Sequence, residues 1–274
     1  MIPLTEDRKM LGYEVLASYP DISCFVTTRH GGCSRGNYAS FNCTPYTGDD
    51  AACVRKNQEI LCEGLPQRPK ELIIPYQTHG TASLVIDKAF LKSTAEERHA
   101  ALQGIDALIT GEAGCCICIS TADCIPILLY ERKHKIVAAV HAGWRGTANH
   151  ILHRTFDKMQ TLFHTDGKDI IACIGPGISL PAFEVGDEVY EAFRENDFPM
   201  DYISEWKPET HKYHIDLWAA NHLQLLDLGI PSAQVETAGI CTFTRHEDFF
   251  SARRLGIKSG RILSGIMIKK MTYV

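Results

Sequence analysis

Four short apolar runs crowd the middle of the chain, at residues 107–110, 115–120, 126–130 and 136–141. Each is too short for a buried helix, so they read as strands. Their apolar character is almost continuous rather than alternating, which means that both faces of the strands must be covered. A chain built around such segments is layered, with its sheet inside.

Further strand candidates are residues 22–28, 72–76 and 82–86, and helical patterns lie between them. Residues 50–63 place Ala52, Val54, Ile60 and Leu61 on one side and stop at Gly64 before Pro66. Residues 147–163 and 218–228 read as two more helices, the second closed by Gly229 and Pro231. The charged, helix-prone stretch 88–103 reads as a surface insertion. No repeat, low-complexity tract or linker divides the chain. The expectation is an α+β fold (an α/β sandwich): one layered domain over residues 1–274, with a mixed central sheet flanked by helices.

Composition narrows the function classes. A net charge of −5 offers no dedicated surface for nucleic acid or anionic membranes. The longest apolar runs are interrupted by Asp123 and Glu131 and are too short to span a bilayer. The first residues, Met1 to Lys9, carry no signal-peptide pattern. Eleven cysteines, an odd number scattered over a long chain, point to reduced thiols in a cytoplasm rather than a disulfide framework.

Three segments place a reactive side chain at a strand end beside a turn: Gln77-Thr78-His79-Gly80, Thr121-Ala122-Asp123-Cys124, and His141-Ala142-Gly143-Trp144-Arg145-Gly146. If they converge, two imidazoles and one thiolate make a three-ligand site suited to zinc, with a fourth position left open. A metal-free Cys124–His141 nucleophile–base pair is an equally coherent reading. A lone histidine beside a glycine or a lone cysteine in an apolar run is more often structural, so spacing leaves these alternatives open. The Gly143–Gly146 turn with Arg145, the Arg29 turn with Ser34, and Arg253 with Arg254 are candidate anion sites. Cys115, Cys116 and Cys118 read as buried thiols of one strand. His150, His153, His211 and His214 read as non-ligands.

Taken together, Gln77-Thr-His-Gly, Thr121-Ala-Asp-Cys, His141-Ala-Gly-Trp-Arg-Gly, Ile174-Gly-Pro-Gly-Ile and Phe250-Ser-Ala-Arg-Arg resemble the laccase-domain, or multicopper polyphenol oxidase, family. Its members are now described as purine nucleoside phosphorylases. The resemblance runs from Thr27 to Arg261, with small departures from the family pattern at Ala182 and Ala252 and a more variable stretch at 88–103. It implies a sandwich related to the cytotoxic-necrotizing-factor deamidases and a zinc or copper site on His79, Cys124 and His141. It also implies phosphorolysis of adenosine, inosine, guanosine and methylthioadenosine, with adenosine deamination as a further activity. Purine nucleosides and inorganic phosphate are then the partners of a monomer or small homo-oligomer. Arg29, Ser34, Asn42, Arg145 and Arg253 are the candidate substrate- and phosphate-binding residues, and Asp123 a proton-transfer or orienting carboxylate. A copper polyphenol oxidase and a Cys124-dependent hydrolase of peptidoglycan precursors are the rival readings. The blue multicopper centre fits poorly, because the chain has no His-x-His pair.

Overall fold

The computed structural model describes residues 1–270, and in it the apolar runs become strands divided between two sheets. In chain order the strands are β1 Ile2–Pro3, β2 Met10–Gly12, β3 Ile22–Thr27, β4 Glu71–Ile73, β5 Ser83–Val85, β6 Ala107–Thr110, β7 Cys115–Thr121, β8 Ile125–Glu131, β9 Ile136–Ala142, β10 Ile170–Ile174, β11 Glu184–Val185, β12 Ser204–Lys207, β13 Lys212–Ile215, β14 Val235–Thr237 and β15 Ile262–Ile268. One six-stranded sheet runs β1-β2-β3-β15-β7-β4 and the other β14-β10-β8-β9-β6-β5. Both are mixed: β4 is parallel to β7, β5 to β6 and β10 to β14, and the other pairs are antiparallel. A small third sheet, β11-β13-β12, lies apart from them.

Side-chain alternation shows how the layers stack. Ile117 and Ile119 of β7, Val26 of β3 and Ile266 of β15 share one core with Leu128 and Tyr130 of β8, Val137 and Ala139 of β9, and Cys173 of β10. The two large sheets therefore pack face to face. The intervening residues point the other way. Ile127, Leu129, Ala138 and Val140 pack beneath the helices Ile151–Phe163, Asp187–Arg194 and Leu217–Asp227. Phe25, Cys116, Cys118, Leu263 and Met267 pack with Leu61 of the Ala51–Gly64 helix. Helix, sheet, sheet, helix is the resulting order. The mixed, helix-flanked architecture agrees with the sequence, but its sheet is split in two. Every strand near the middle is covered on both faces, which is why so many of them lack a polar side.

The helix ends follow local chemistry. Asp50 caps Ala51–Gly64 by accepting from the Ala52 and Cys53 amides, and Asp216 caps Leu217–Asp227 through the Ala219 amide. The single helix expected over 147–163 is two, Trp144–Ala148 and Ile151–Phe163. Asn149 turns its side chain back to the Arg145 carbonyl, and His150 takes φ +57° with its ring stacked on Phe198. That break lets the short helix stay at the strand end while the long one lies along the sheet. Residues 88–103 form two short helices, Lys88–Lys92 and Ala95–Ala101, joined at a Thr94–Glu97 capping box. They are more than a surface insertion, because Phe90 is buried in the inter-sheet core. All eleven cysteines are free, and Cys115, Cys116 and Cys118 are buried as expected. Among the described residues no helix is long and apolar enough to cross a membrane.

Candidate metal centre

Strand register assembles the site. The β8–β9 ladder pairs Ile125 with Ala142, and the β6–β9 ladder pairs Ala107 with Val140. One step beyond each ladder, Cys124 meets Gly143 and Asp106 meets His141, whose amide donates to the Asp106 carbonyl at 2.8 Å. Cys124, Asp106 and His141 also continue the alternation of Leu128, Leu108 and Ala139, so all three point toward the opposite sheet. They sit where the inter-sheet core ends. Three adjacent strands thus deliver a thiol, a carboxylate and an imidazole to one face at one rim.

His79 arrives from the turn after β4. The donor atoms of His79, Cys124 and His141 all lie within 4.8 Å of one another, and the two imidazole rings meet edge-on with centroids 4.9 Å apart. His141 is buried, Cys124 half-buried and His79 exposed, so the group opens to solvent on one side. A Cβ on Gly143 would come within 3.0 Å of His79 Cδ2 and 3.1 Å of Cys124 Sγ, so the glycine keeps the space between the donors clear. Two imidazoles and a thiolate, mutually close and open on one side, fit a zinc- or copper-type ion with an exchangeable position.

The electrostatics were not legible in the sequence, because Asp106 carries them. Its buried carboxylate accepts from His141 Nδ1 at 2.7 Å and from the amides of Thr78, His79 and Gly80 at 3.2, 3.0 and 2.7 Å. Burial alone would raise the Asp106 carboxyl. The hydrogen bonds from His141 and the turn amides outweigh it and hold the group below its ordinary value. Burial opposes charge on Cys124 too, yet the neighbouring His141 and His79 draw the thiol down to about 6. His141 is the mirror case: burial would lower it, but the Cys124 thiolate and Asp106 carry it up to about 9. Without metal, each group thus favours the charged form of the other. The only sequence signal for Asp106 was a carboxylate opening an apolar strand after Gly104-Ile105.

Beside the three donors lies a cavity of about 490 Å³. Its walls come from Thr44, Tyr46 and Thr47; from Pro75 to Gln77; from Ser120 to Asp123; and from Ile178, Phe183, Ala252, Arg253, Ile257 and Arg261. Gln77 locks the His79 turn to the end of β7, donating to the Ser120 carbonyl at 2.9 Å and accepting from its amide at 2.7 Å. The hydroxyls of Thr44, Ser120 and Thr121 are buried and have no hydrogen-bond partner in the protein.

Of the anion-binding candidates, Arg253 alone lines this cavity. Arg29 lies outside it, donating to the Ala39 carbonyl at 2.9 Å and to the His246 carbonyl at 2.6 Å, with Phe250 beneath it. Ser34 accepts from the Asn57 side chain, and Asn42 is buried against Thr47 and Asp49. Arg145 is exposed and stacks on Trp144, 4.3 Å from the ring centre. None of these four lines the cavity, although Asn42 accepts from the Arg261 amide at 3.1 Å. Arg261 enters the wall instead, because the strand pair Ile262–Thr121 brings it to the same rim. Asp123 lines the cavity at φ +85°, but both carboxylate oxygens are engaged, by the Thr242 hydroxyl and the Arg253 amide, each at 2.7 Å. That arrangement fits orienting the Arg253 turn better than moving a proton.

The family described as multi-copper polyphenol oxidoreductase laccase matches residues 23–269. The chain belongs to this family. Among laccase-family relatives, a Bacteroides thetaiotaomicron protein named purine nucleoside phosphorylase is 61% identical over 98% of this chain and 100% of its own length. A second, named adenosine deaminase RL5 and from an unknown prokaryotic organism, is 41% identical over 92% of this chain and 96% of its own. The laccase-family fold recurs in the crystal structure of YlmD from Geobacillus stearothermophilus, with a TM-score of 0.87 and 32% identity over 97% of this chain and 98% of that one.

Proposed function

We propose that the chain is a metal-dependent purine nucleoside phosphorylase working at His79, Cys124 and His141. The observation that carries this reading is the pairing of an open three-donor group with a cavity lined by Arg253 and Arg261 and by the aromatic residues Tyr46, Tyr76 and Phe183. Positive charge beside aromatic walls suits an anion paired with a flat ligand. A phosphorylase needs such a ligand pair: inorganic phosphate, and a nucleoside of which phosphate displaces the base to give ribose 1-phosphate. Relatives at 61% and 34% identity bear that activity as their name.

In this reading Arg253 and Arg261 supply positive charge to phosphate. Tyr46, Tyr76, Phe183 and Ile257 give the purine flat apolar walls. Positioning and charge stabilisation do most of the work. Zinc, or copper in its place, would be held by His79, Cys124 and His141 and would supply Lewis acidity there. Adenosine, inosine, guanosine and methylthioadenosine are the proposed substrates. The relative named adenosine deaminase favours deamination as a second activity of the same site. A four-copper oxidase has less support: among the described residues, this group of three is the single His/Cys/Asp/Glu set that converges as metal ligands. The peptidoglycan-precursor hydrolase draws only on the lowered Cys124 thiol. Eleven free thiols suit a reducing cytoplasm, and an inter-sheet core reaching from Tyr13 to Ile268 suits action as one domain.

The test is incubation of purified protein with inosine, with and without phosphate, repeated with Cys124→Ala and with a chelator. Ribose 1-phosphate formed only with phosphate, metal and the intact thiol is the expected result. Hypoxanthine released without any need for phosphate would mean hydrolysis and overturn the proposal.

A further inference from the structure

We propose that Asp106 is the positioning residue of the metal centre, one carboxylate that sets both histidine ligands at once. The inference rests on reading His79, Cys124 and His141 as metal ligands. It does not depend on which nucleoside, if any, is turned over.

The carboxylate divides its work between two oxygens. Oδ1 accepts from His141 Nδ1 at 2.7 Å and from the His79 amide at 3.0 Å, and Oδ2 accepts from the Gly80 amide at 2.7 Å and the Thr78 amide at 3.2 Å. Three successive amides converging on one anion form a backbone nest. Here the anion is a side chain of the protein itself. His79 sits within that nest at φ +62°, a left-handed conformation uncommon for a residue with a Cβ, and its own amide is one of the three the carboxylate holds. The nest therefore fixes the turn that points the His79 ring at Cys124.

The same oxygen decides how His141 can act. A carboxylate has no proton to give at this contact, so Nδ1 must be the donor, and the lone pair of the neutral ring is left on Nε2. That is the tautomer a metal ligand needs. The main chain reinforces the pairing, because the His141 amide also donates to the Asp106 carbonyl at 2.8 Å. Asp106 is completely buried, so no water replaces it. Carboxylates behind ligating histidines raise metal affinity by about 10–100-fold. Asp106 differs from the simple case because one group serves two ligands that come from different parts of the fold.

Two measurements test this. In zinc-loaded protein carrying ¹⁵N-histidine, His141 is expected to be protonated at Nδ1 and bound through Nε2; the opposite tautomer overturns the proposal. For Asp106→Asn, competition against a chromophoric chelator is expected to show zinc affinity about 10–100-fold weaker. The cobalt-substituted variant is expected to show an altered thiolate-to-cobalt absorption band, which a remote loss of stability would not change. A folded Asp106→Asn protein with wild-type affinity and spectrum overturns the proposal. Should that variant fail to fold, the tautomer in the wild type decides. Wild-type protein that binds neither zinc nor cobalt sinks the metal reading itself, and this inference with it. Wild-type binding with an unaffected variant sinks only the role of Asp106.

Discussion

Gly143 and Cys124 face each other one step beyond the β8–β9 ladder, and a methyl group on Gly143 would stand 3.1 Å from the Cys124 sulfur. The Gly143 backbone, at φ −69° and ψ 167°, is open to any residue. Space, not conformation, requires glycine here. Gly143→Ala is therefore expected to fold normally but to bind zinc at least about tenfold more weakly, the range seen when metal-site geometry is disturbed. Chelator competition together with a thermal melt of the metal-free protein checks both halves. Unchanged affinity would show that the donors can spread without loss.

The Cys124 thiol gives a pH prediction. Burial opposes its ionisation, but His141 and His79 bring it down to about 6, against about 8.5 for a free cysteine. A depressed value means that thiolate persists above about pH 6 and is lost as pH falls through it. In metal-free protein, the pH profile of Cys124 alkylation by iodoacetamide should have its midpoint near 6, read by peptide mass spectrometry. His141→Ala removes the main opposing charge and should move that midpoint upward. A wild-type midpoint near 8.5 would contradict the thiolate–imidazolium pair.

Thr44 and Thr121 should affect stability and not binding. Each is 1% exposed, and each hydroxyl lacks a partner in the protein. Replacing either with isosteric valine removes the unsatisfied group and should leave the free protein unchanged or stabilise it by about 1 kcal/mol. The same change should leave KM for nucleoside and phosphate little changed, because the hydroxyl oxygens are sealed from the cavity. Denaturant melts and steady-state kinetics on one preparation separate the effects. Destabilisation by 2 kcal/mol or more, on the same scale, would mean the hydroxyls already have partners.

Arginine substitutions should divide by position. Arg253 and Arg261 line the cavity, whereas Arg145 is exposed and lies outside it. Arg253→Ala is expected to raise KM for phosphate by about 10-fold or more, in line with the roughly 1.5–3 kcal/mol of a charged hydrogen bond. Arg145→Ala should change it less than about twofold, an exposed charge of little energetic weight. The reverse order would place the phosphate seat at the short helix Trp144–Ala148.

Much of the fold was legible because apolar pattern and turn chemistry are local. The runs around Ile117, Leu128 and Val140 are strands whose two faces both demand cover, and the Asp50 and Asp216 caps stand where side-chain acceptors precede apolar helices. The strands β10 and β15 were not read from the sequence, although β15 lies between β3 and β7 at the centre of its sheet. A strand interrupted by Ser264 and Gly265 has a weak local signal, and its place depends on partners far along the chain. The donor residues His79, Cys124 and His141 were legible as motifs beside turns, and their meeting was implied by the family resemblance but not by their spacing.

The sequence by itself determined the chemistry on offer: two imidazoles and a thiol at strand ends, glycines where space is needed, and runs of residues that must be buried on both sides. These depend on side-chain type and on neighbours a few residues away. Only the tertiary structure decided that β6, β8 and β9 stand side by side, so that Asp106 backs His141 and Gly143 clears room for Cys124. It also decided that Arg253 and Arg261 face the cavity while Arg29 and Arg145 do not. The physical reason is that pairing register is set by burial across whole sheets. A motif therefore names what a residue can do, and the ladder beside it decides what the residue meets.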